Sequence, residues 1–570
     1  MSITIRKRWI EPTLLPAKQR NRFPHLHEVV VQILYNRKIC KPEDVQAFMA
    51  PDAPLYDPFR LKGMDIVVKR IAQAIRNGER IAVYGDFDAD GVTSTALLTQ
   101  TLGALGATVA PYIPDRVDEG YGLNVHALEK LADRGANLVV TVDCGIRSRN
   151  EVAYGNHLGL DIIVTDHHSV GSELPPAVAV LNPKQPGCTY PFKELAGVGI
   201  AFKLAQALLK TVSPSTRGAP PLRQEHLLDL VALGTVADVV PLKDENRSLV
   251  QRGLAQLKSP WRRGIRALME KARIKPEYVN STAIGFMLGP RINAAGRLQS
   301  AMLAYYLLMT RDPERAAHYA GQLDQLNQER QRLTLQATKR ARSQVIDENG
   351  RVPYLLFAAS PDFTAGIVGL VAGRLTDEFY RPAVVVEQGN EESRASCRSI
   401  CEFHMTHALD ECADLLMRHG GHAAAAGFTV HNKNLAALQE RLQATARQKL
   451  AETDLAPRLK IDAELTLGPD LYDLYVELER LQPFGQANPA PIFISRGLQV
   501  ERQQAVGSES QHLRLAVSDG GIRWNAIAFR RGQEAGQLPP YIDLAYQLDL
   551  NEWNGQKRLQ LIVQDWRPAS

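Results

Sequence analysis

Short runs rich in Val and Ile alternate with helical stretches between about residue 65 and residue 165 of this chain. The four runs predicted as strands are Arg80–Tyr84, Thr108–Ile113, Asn137–Val142 and Asp161–Thr165. Strands that alternate with helices indicate βαβ units, in which the strands run parallel and helices cover both faces of the sheet. The pattern therefore predicts a doubly wound α/β domain.

The composition excludes several classes of protein. Of the 570 residues, 45% are apolar and 23% are charged, and the formal net charge is +5, which excludes a collagen and a disordered tail protein. The six cysteines are too few for a disulfide scaffold and fit a reducing cytosol. The N-terminus lacks the apolar core of a signal peptide, and no apolar run approaches a membrane span. We therefore expect a cytoplasmic protein without a membrane segment, and we expect a monomer.

We expect a multidomain α/β protein with five segments. They are an N-terminal extension (1–64), a first α/β domain (65–311), a long connecting helix (312–348), a second α/β domain (349–452) and a C-terminal barrel (453–570). The long helix is predicted because residues 312–347 contain glycine only at Gly321, where a kink stays open, and proline only at Pro313. Basic residues in its second half form either a solvated face or a face turned to nucleic acid. They are Arg330, Arg332, Lys339, Arg340 and Arg342.

The pattern changes twice beyond residue 350. A strand Tyr354–Ala359, a helix Gly366–Leu375 and a strand Ala383–Glu387 are followed by predicted helices over 403–419 and 433–450. From about residue 457, five alternating runs separated by turns favour a small closed barrel of the OB type. They are Leu498–Arg502, Leu513–Val517, Trp524–Phe529, Tyr541–Leu550 and Leu559–Val563.

Three carboxylates follow the first predicted strand at alternating positions: Asp86, Asp88 and Asp90. In extended backbone such side chains point the same way, and like charges this close call for a cation among them. A calcium loop of the EF-hand type is excluded, because no Glu occupies the twelfth position. A plain solvated turn stays open as an alternative.

Further acids and two histidines follow the later strands. Asp143 follows the third strand, Asp166-His167-His168 follows the fourth, and Asp238 lies in Gly-Thr-Val-Ala-Asp. The carboxyl ends of parallel strands face one crevice, so we expect these side chains to converge there. Taken singly, each acid could be a helix cap and the histidine pair could be structural. Together they favour Mg²⁺ or Mn²⁺, and two such ions can activate water for phosphoryl hydrolysis.

The order and spacing of these motifs over residues 80–240 resemble the DHH phosphoesterase superfamily, whose signature is the Asp166-His167-His168 triplet. The resemblance implies a phosphoesterase with two Mn²⁺ or Mg²⁺ ions. It implies that His168 contacts the scissile phosphate and that Asp166 orients the site. The pyrophosphatase branch has a histidine where this chain has Tyr84, which argues against that activity. The metal ligands implied by the resemblance are Asp86, Asp88, Asp90, Asp143, His167 and Asp238.

The second α/β domain resembles the DHH-associated domain of the same superfamily. Ser396 and Arg398 lie in one of its motifs, and Gly421 and His422 lie in another, where a Gly-Gly turn is expected to open an Ala-rich helix. An ordinary tight turn is the alternative. In this context Arg116, Arg291, Asn293 and Arg297 are expected to contact the phosphate backbone of a nucleic acid. A zinc site built from Cys397, Cys401, His404 and His407 is disfavoured, because the chain lacks a CxxC knuckle there.

The order of the domains, ending in an OB barrel, resembles the bacterial single-strand-specific exonucleases of the superfamily. This implies 5′→3′ degradation of single-stranded DNA to 5′-mononucleotides in recombination and repair, with a helicase and a single-strand-binding protein as partners. Aromatic residues of the barrel could stack on bases or could form its core. They are Trp524, Phe529, Tyr546 and Trp553. The alternatives are a phosphodiesterase of short oligonucleotides or cyclic dinucleotides, and a non-catalytic replication scaffold.

Overall fold

The computed structural model describes residues 6–50, 53–116, 119–120, 122–212, 221–347, 350–553 and 556–569. The chain forms two compact units. One unit comprises residues 54–455 together with 485–488, and the other comprises the N-terminal segment up to residue 53 with 456–484 and 489–570. The N-terminal extension is therefore divided between the two units, with most of it in the C-terminal unit. Among the described residues, no helix is both long and apolar enough to span a membrane.

The N-terminal segment is joined to the C-terminal unit by strand pairing. Its elements are β1 (Arg8–Ile10), α1 (Ala17–Arg20), α2 (Glu28–Asn36) and α3 (Pro42–Met49). β1 runs parallel to the strand Arg458–Lys460. The buried apolar face of α2 packs into the same core as the barrel.

The first α/β domain contains the predicted parallel sheet, which has a fifth strand, β6, beyond the four predicted ones and the order β3-β2-β4-β5-β6. Its elements are α4 (Met64–Asn77), β2 (Arg80–Gly85), α5 (Ala89–Ala104), β3 (Thr108–Tyr112), α6 (Val125–Asp133), β4 (Leu138–Val142), α7 (Arg149–His157), β5 (Asp161–Thr165) and β6 (Ala179–Leu181). The strand order reverses at β2, whose two neighbours are β3 and β4. Ligands of doubly wound sheets bind at such a reversal, beyond the carboxyl ends of the strands.

Helices cover the sheet and continue the domain. They are α8 (Gly197–Thr211), α9 (Leu228–Ala237), α10 (Asp244–Leu257), α11 (Arg263–Lys271), α12 (Ser281–Ala283), α13 (Gly289–Leu298), α14 (Met302–Met309) and α15 (Pro313–Val345). A π-helical turn, Ile284–Leu288, joins α12 to α13. α5 is buried along most of its length and packs against α8 and α9.

α15 is the predicted connecting helix, and it continues through Gly321 without a break. Three of the basic residues in its second half pair with carboxylates: Arg332 with Glu329, Arg340 with Asp362 and Arg342 with Glu378. Arg330 instead donates to Asn327. The solvated-face interpretation therefore fits these three arginines, and Arg330 stands apart.

The second α/β domain has a mixed sheet in the order β10-β11-β9-β8-β7. Its elements are β7 (Leu356–Ser360), α16 (Ala365–Phe379), β8 (Ala383–Gln388), β9 (Glu392–Arg398), α17 (Met405–Asp410), β10 (Leu416–Gly421), β11 (Ala425–His431) and α18 (Leu435–Leu450). The helix predicted over 403–419 was wrong beyond α17, and so was the Ala-rich helix predicted after Gly421. That segment is a hairpin, because β11 is a central strand paired with both β9 and β10, and this pairing overrides the helix propensity of alanine.

The C-terminal segment forms the predicted closed barrel. Its elements are β12 (Arg458–Lys460), β13 (Ala463–Glu464), α19 (Leu471–Glu479), β14 (Phe493–Val506), β15 (His512–Ser518), β16 (Arg523–Ala528), β17 (Tyr541–Trp553) and β18 (Gln556–Pro568). The sheet order is β13-β14-β15-β16-β18-β17, and a further pairing of β14 with β17 closes it.

Candidate active site

The turn after β2 is fixed by backbone contacts that only this sequence allows. Asp88 caps α5, since its Oδ1 accepts hydrogen bonds from the backbone N–H groups of Asp90 (2.9 Å) and Gly91 (3.0 Å). A Cβ on Gly91 would lie 2.4 Å from the carbonyl oxygen of Asp86, so glycine is required there. The first turn of α5 is thereby pressed onto the end of β2, and the three acids are brought together.

Asp90 connects this turn to α8. Its two carboxylate oxygens accept from the backbone N–H groups of Gly197 (2.7 Å) and Val198 (2.8 Å) at the start of that helix. Asp90 is 1% exposed. Its carboxylate is therefore held rigidly at the N-terminus of α8, where the helix dipole favours a negative charge.

Asp143 and Asp166 follow β4 and β5, as predicted. Asp143 has a left-handed backbone with φ of 63°, which is rare outside glycine and is found at functional sites. Asp166 accepts from the backbone N–H of Ile146 (2.9 Å) and lies 2.7 Å from Nδ1 of His168. Asp166 thus fixes the orientation of the His168 ring.

Asp238 reaches the same place from a different element. It ends α9, a helix, and not a strand of the sheet. His167 Nε2 lies 3.2 Å from Oδ1 of Asp143 and 3.6 Å from Oδ2 of Asp238. The histidine therefore stands between the acid of the sheet edge and the acid of the helix end.

The predicted metal-binding side chains converge. The side chains form three overlapping groups, and within each group the ligand atoms all lie within 4.8 Å of one another. They are Asp143, His167 and His168; Asp90, His167 and Asp238; and Asp86, Asp88 and Asp143. Four buried atoms of this cluster have no hydrogen-bond partner among the described residues: Asp86 Oδ1, Asp143 Oδ1, His167 Nε2 and Asp238 Oδ2. Buried polar atoms without partners are costly, so this donor set, rich in hard oxygens, fits divalent cations such as Mg²⁺ or Mn²⁺.

The carboxyl groups of the cluster have raised pKa values. Burial and then the charge of Asp88 raise the pKa of Asp90 to about 7, and burial and then Asp90 raise the pKa of Asp238 to about 9. The pKa values of Asp86 and Asp143 are raised by burial and, in second place, by neighbouring carboxylates. The four acids therefore hold protons more tightly than in water unless cations neutralise them.

The two histidines are shifted in opposite directions. Burial and then the neighbouring His168 lower the pKa of His167 to about 3, so its ring is neutral and can offer a lone pair. Burial opposes the charged form of His168, but the hydrogen bond and charge of Asp166 outweigh it and raise the pKa of His168. His167 is thus suited to a metal ion and His168 to a phosphate oxygen.

A basic cluster adjoins the carboxylates. The guanidinium of Arg116 lies 4.9 Å from the centre of the Phe87 ring, and Nη1 of Arg297 donates to the carbonyl of Gly366 (2.9 Å). Burial, followed by the charges of Arg116, Arg330 and Arg398, lowers the pKa of Arg297 to about 10. The predicted arginines 116, 297 and 398 therefore lie near one another, and an anion among them would offset their repulsion.

Ser396 and Arg398 lie two residues apart on β9. Nη1 of Arg398 donates to Oγ of Ser396 (3.2 Å) and to the carbonyl of Cys397 (2.8 Å). Gly369 of α16 faces this pair, since a Cβ there would lie 3.0 Å from Oγ of Ser396. The absence of a side chain at Gly369 leaves both groups accessible.

The hairpin residues Gly421 and His422 are exposed and lie two strands from Cys397. Gly421 pairs with Ala426, which pairs with Cys397, so the hairpin turn is at the Arg398 end of the sheet. Gly421 has φ of 140°, and a Cβ there would lie 2.5 Å from the carbonyl oxygen of Ala425. The glycine is needed for the hairpin, and not for the helix N-terminus that the sequence predicted.

Two predicted phosphate contacts have intramolecular partners. Arg291 donates to Asp324 of α15 (2.9 Å), and Asn293 accepts from the backbone N–H of Ala89 (2.7 Å). Asn293 therefore fixes the backbone of the turn that carries Asp86, Asp88 and Asp90. Sequence reasoning missed the contacts of Phe87 and Asn293, because both depend on how the helices pack, and it named Arg330 only as part of the basic face of the long helix.

The disfavoured zinc ligands do not assemble. Cys397 is buried, Cys401 lies 3.4 Å from the hydroxyl of Tyr380, and His404 caps α17. No potential metal cluster within the described ranges contains any of the four residues.

The barrel aromatics divide between core and surface. Tyr546 is fully buried and Trp524 packs against the core, whereas Phe529 is 55% exposed. The side chain of Trp553 lies outside the described residues. Phe529 is thus the candidate for base stacking among the three aromatics whose side chains the structure describes.

Comparisons with known families agree with this organisation. The DHH family, N-terminal domain, matches residues 80–235, the DHHA1 domain matches 351–451, and the RecJ OB domain matches 461–565. The chain is 39% identical to the single-stranded-DNA-specific exonuclease RecJ of Bacillus subtilis, over 95% of this chain and 68% of that protein. It is 35% identical to the Escherichia coli protein of the same name, over 89% of this chain and 91% of that protein.

Solved structures give the same result. RecJ of Thermus thermophilus in complex with Mn²⁺ superposes with a TM-score of 0.84 at 31% identity, covering 99% of this chain and 80% of that one. The Mg²⁺ complex of the same protein gives a TM-score of 0.79 at 30% identity, covering 99% and 79% of the two chains. The residues that converge in this chain are thus of the kind that binds the metals seen in both complexes. With such identity over most of its length, the chain belongs to the RecJ family.

Proposed function

We propose that this protein is a metal-dependent exonuclease that degrades single-stranded DNA in the 5′→3′ direction and releases 5′-mononucleotides. Its relatives are named single-stranded-DNA-specific exonucleases. The observation that carries the proposal is the convergence of acids and histidines after β2, β4, β5 and α9, where four buried atoms find no hydrogen-bond partner in the described part of the chain. Such a site suits hydrolysis of a phosphodiester by two divalent ions.

We assign ion binding to Asp86, Asp88, Asp90, Asp143, His167 and Asp238. When bound, the ions would supply Lewis-acid activation of water and stabilise charge on the leaving oxygen. Asp90 and Asp88 also accept backbone hydrogen bonds, which hold their carboxylates still. Carboxylate oxygens have further lone pairs, so capping a helix does not prevent Asp90 from binding a cation.

His168 is assigned to the scissile phosphate. Its side chain is 39% exposed, and Asp166 holds the ring through Nδ1. With its pKa raised, the ring is suited to donate from Nε2 to a non-bridging phosphate oxygen. Asp166 keeps the ring in that orientation and favours its charged form.

The basic cluster is assigned to the 5′-terminal phosphate. Arg116, Arg297 and Arg398 supply the charge, and Ser396 supplies a hydroxyl. Burial and mutual repulsion of the arginines favour an anion there. Because this pocket adjoins the carboxylates, a strand whose 5′ phosphate fills it would place its first internucleotide phosphate at the ions, which sets the polarity.

Four further residues are assigned a less direct role in holding the same DNA strand: Arg291, Asn293, Gly421 and His422. Arg291 and Asn293 have partners within the protein, so we place them as supports of the site. The exposed hairpin of Gly421 and His422 lies at the Arg398 end of its sheet, where it can border the phosphate pocket.

Two alternatives are weaker. A phosphodiesterase confined to very short substrates has no need of the OB barrel that closes this chain. A non-catalytic scaffold would be expected to have lost metal ligands, whereas this chain keeps all six assigned acids and histidines, and they occur in groups that could hold a metal ion.

The test uses long single-stranded and duplex DNA labelled at either end, together with a labelled dinucleotide, each incubated with Mn²⁺ or with a chelator. We expect Mn²⁺-dependent loss of the single strand only, with a 5′ label released first as mononucleotide and a 3′ label giving progressively shorter strands. Asp143→Ala should abolish this, and Ile66→Ala, an exposed position on α4, should not. Cleavage confined to dinucleotides would favour the small phosphodiesterase, and binding without cleavage would favour the scaffold.

The proposal includes a setting in DNA recombination and repair. A helicase would supply single strands, and a single-strand-binding protein would present them. All six cysteines are unpaired, in keeping with a cytoplasmic location. We propose that the enzyme acts as a monomer, because one chain holds every assigned residue.

A further inference from the structure

Phe286 is an unusually exposed aromatic residue at an irregular point of a helix. It lies in the π-helical turn Ile284–Leu288, and it is 80% exposed although Ile284 and Leu288 are fully buried. Leaving a phenylalanine ring in water forgoes about 1.5–3 kcal/mol of burial. A π-helical turn is itself rare and is frequently found at functional sites.

The irregularity has a cause in the sequence. Pro290 follows four residues after Phe286, and a proline cannot donate the helical hydrogen bond to that carbonyl, with which its ring would also clash. A wider turn accommodates a residue without a backbone N–H, so the π-helical geometry of Ile284–Leu288 has a local cause in the sequence.

The same turn packs against the helix end that carries a proposed metal ligand. A Cβ on Gly285 would lie 3.9 Å from Cγ1 of Val236, and one on Gly289 would lie 3.2 Å from Cβ of Ala237. Asp238 is the next residue, and its Oδ2 is 3.6 Å from His167. Phe286 thus projects from a turn that packs on the end of α9, the helix end that precedes Asp238.

A second exposed apolar side chain directly follows Asp238. Val239 is 64% exposed and has φ of 61°, a conformation that is a clear outlier for a β-branched residue. Strain of this kind persists where the surrounding structure imposes it, and it clusters at ligand-binding sites. Two exposed apolar side chains therefore lie on elements that adjoin the acidic cluster: Val239 directly after Asp238, and Phe286 on the turn packed against α9.

We infer that Phe286, together with Val239, provides a stacking surface for a base of the single strand next to the scissile phosphate. The inference rests on the proposed function. A strand at this site would place its phosphates with the carboxylates, ions and arginines, and its bases would then need an apolar surface. Every nucleobase has a flat π-face, so stacking does not depend on the base sequence, as a single-strand-specific enzyme without sequence preference requires.

The test compares wild type, Phe286→Ala, Phe286→Trp and the control Ile66→Ala on a long 5′-phosphorylated single strand. Loss of one stacked base corresponds to about a 5- to 150-fold change. We expect Phe286→Ala to raise KM by a factor in that range with kcat nearly unchanged. We expect Phe286→Trp, which keeps an aromatic ring, and Ile66→Ala to have KM values close to that of wild type. Equal KM values for wild type and Phe286→Ala would overturn the inference.

A substrate series locates the stacked base. Strands with one abasic site, moved stepwise from the 5′ end, should include one position that raises KM for wild type and makes no difference to Phe286→Ala. If the abasic effects are of equal size in both proteins, Phe286 does not stack. Fluorescence anisotropy measures the binding of the same strands by wild type and Phe286→Ala with Ca²⁺ in place of Mn²⁺. This comparison tests the stacking even if wild type cleaves no DNA. Absence of cleavage by wild type would refute the proposed function and not the stacking.

Discussion

Gly197 at the start of α8 gives the sharpest test of the site geometry, because a single methyl group there collides with Asp143. A Cβ on Gly197 would lie 2.6 Å from Cβ and 2.7 Å from Oδ1 of Asp143, whereas ordinary van der Waals contact begins at 3.4 Å. Asp143 or the helix start must therefore move by about 1 Å in Gly197→Ala. The backbone N–H of Gly197 also donates to Asp90, so movement of the helix disturbs a second acid.

The expected loss of activity is larger than the loss of stability. A shift of about 1 Å in a catalytic group can cost about 100-fold in rate, equivalent to about 2.7 kcal/mol of transition-state stabilisation. Overpacking costs about 1–3 kcal/mol of folding free energy, and the better helix propensity of alanine offsets up to about 1 kcal/mol of it. Gly197→Ala should therefore fold, with a modest fall in Tm, and should lose about 100-fold in kcat/KM.

The assay measures initial rates of single-strand degradation across a Mn²⁺ titration, with thermal unfolding recorded in parallel. The control is Gly103→Ala near the end of α5, where a Cβ would lie 4.0 Å from Val109 and should disturb nothing. If folded Gly197→Ala keeps the kcat/KM and the Mn²⁺ dependence of wild type, Asp143 is not held where the proposed mechanism needs it.

Three further predictions follow from contacts around the site. Asn293→Ala leaves the backbone N–H of Ala89 without its acceptor and should cost about 1–3 kcal/mol in urea unfolding together with activity, whereas Asn293→Asp, which keeps an acceptor, should cost less; equal losses in both variants would rule out this role. Arg398→Lys removes the fork that can grip a phosphate and should reduce the preference for 5′-phosphorylated over 5′-hydroxyl strands by about 10- to 150-fold; an unchanged preference would remove Arg398 from the pocket. Asp90 and Asp238 have folded pKa values of about 7 and about 9, above the unfolded value of about 4, so the metal-free protein binds extra protons when folded and loses stability as pH rises between these values. The gain in Tm on adding Mn²⁺ should therefore grow from pH 5.5 to pH 8 (about the span of ordinary buffers), and a gain that shrinks with pH would contradict the assignment.

The sheet edge could be predicted from sequence because local patterns determine it. An apolar run followed by Asp86, Asp143 or Asp166 places each acid at the end of a parallel strand, and parallel strands share their carboxyl edge. The argument from strand ends does not apply to Asp238, because Asp238 follows a helix. Its place in the cluster depends on the packing of α9 on α5, which no local pattern encodes.

Other elements escaped prediction because partners distant in sequence decide them. β1 pairs with residues 458–460, about 450 positions away, and nothing near Arg8 signals that pairing. The Ala-rich run after Gly421 has the composition of a helix, yet it forms a strand that pairs with β9 on one side and with β10 on the other. In each case tertiary pairing outweighs a local propensity of less than about 1 kcal/mol per residue.

The acids of the site fall into two classes, and this division explains how the fold tolerates them. Asp88, Asp90 and Asp166 accept backbone hydrogen bonds, which fix their carboxylates and offset part of the cost of burying their charge. Asp86, Asp143 and Asp238 each keep one buried oxygen without a hydrogen bond among the described residues. The first class fixes the geometry during folding, and the second is left with unsatisfied charge that a cation can neutralise. Replacement of an acid by its amide should therefore lower stability in the first class, and should raise metal-free stability while weakening Mn²⁺ binding in the second.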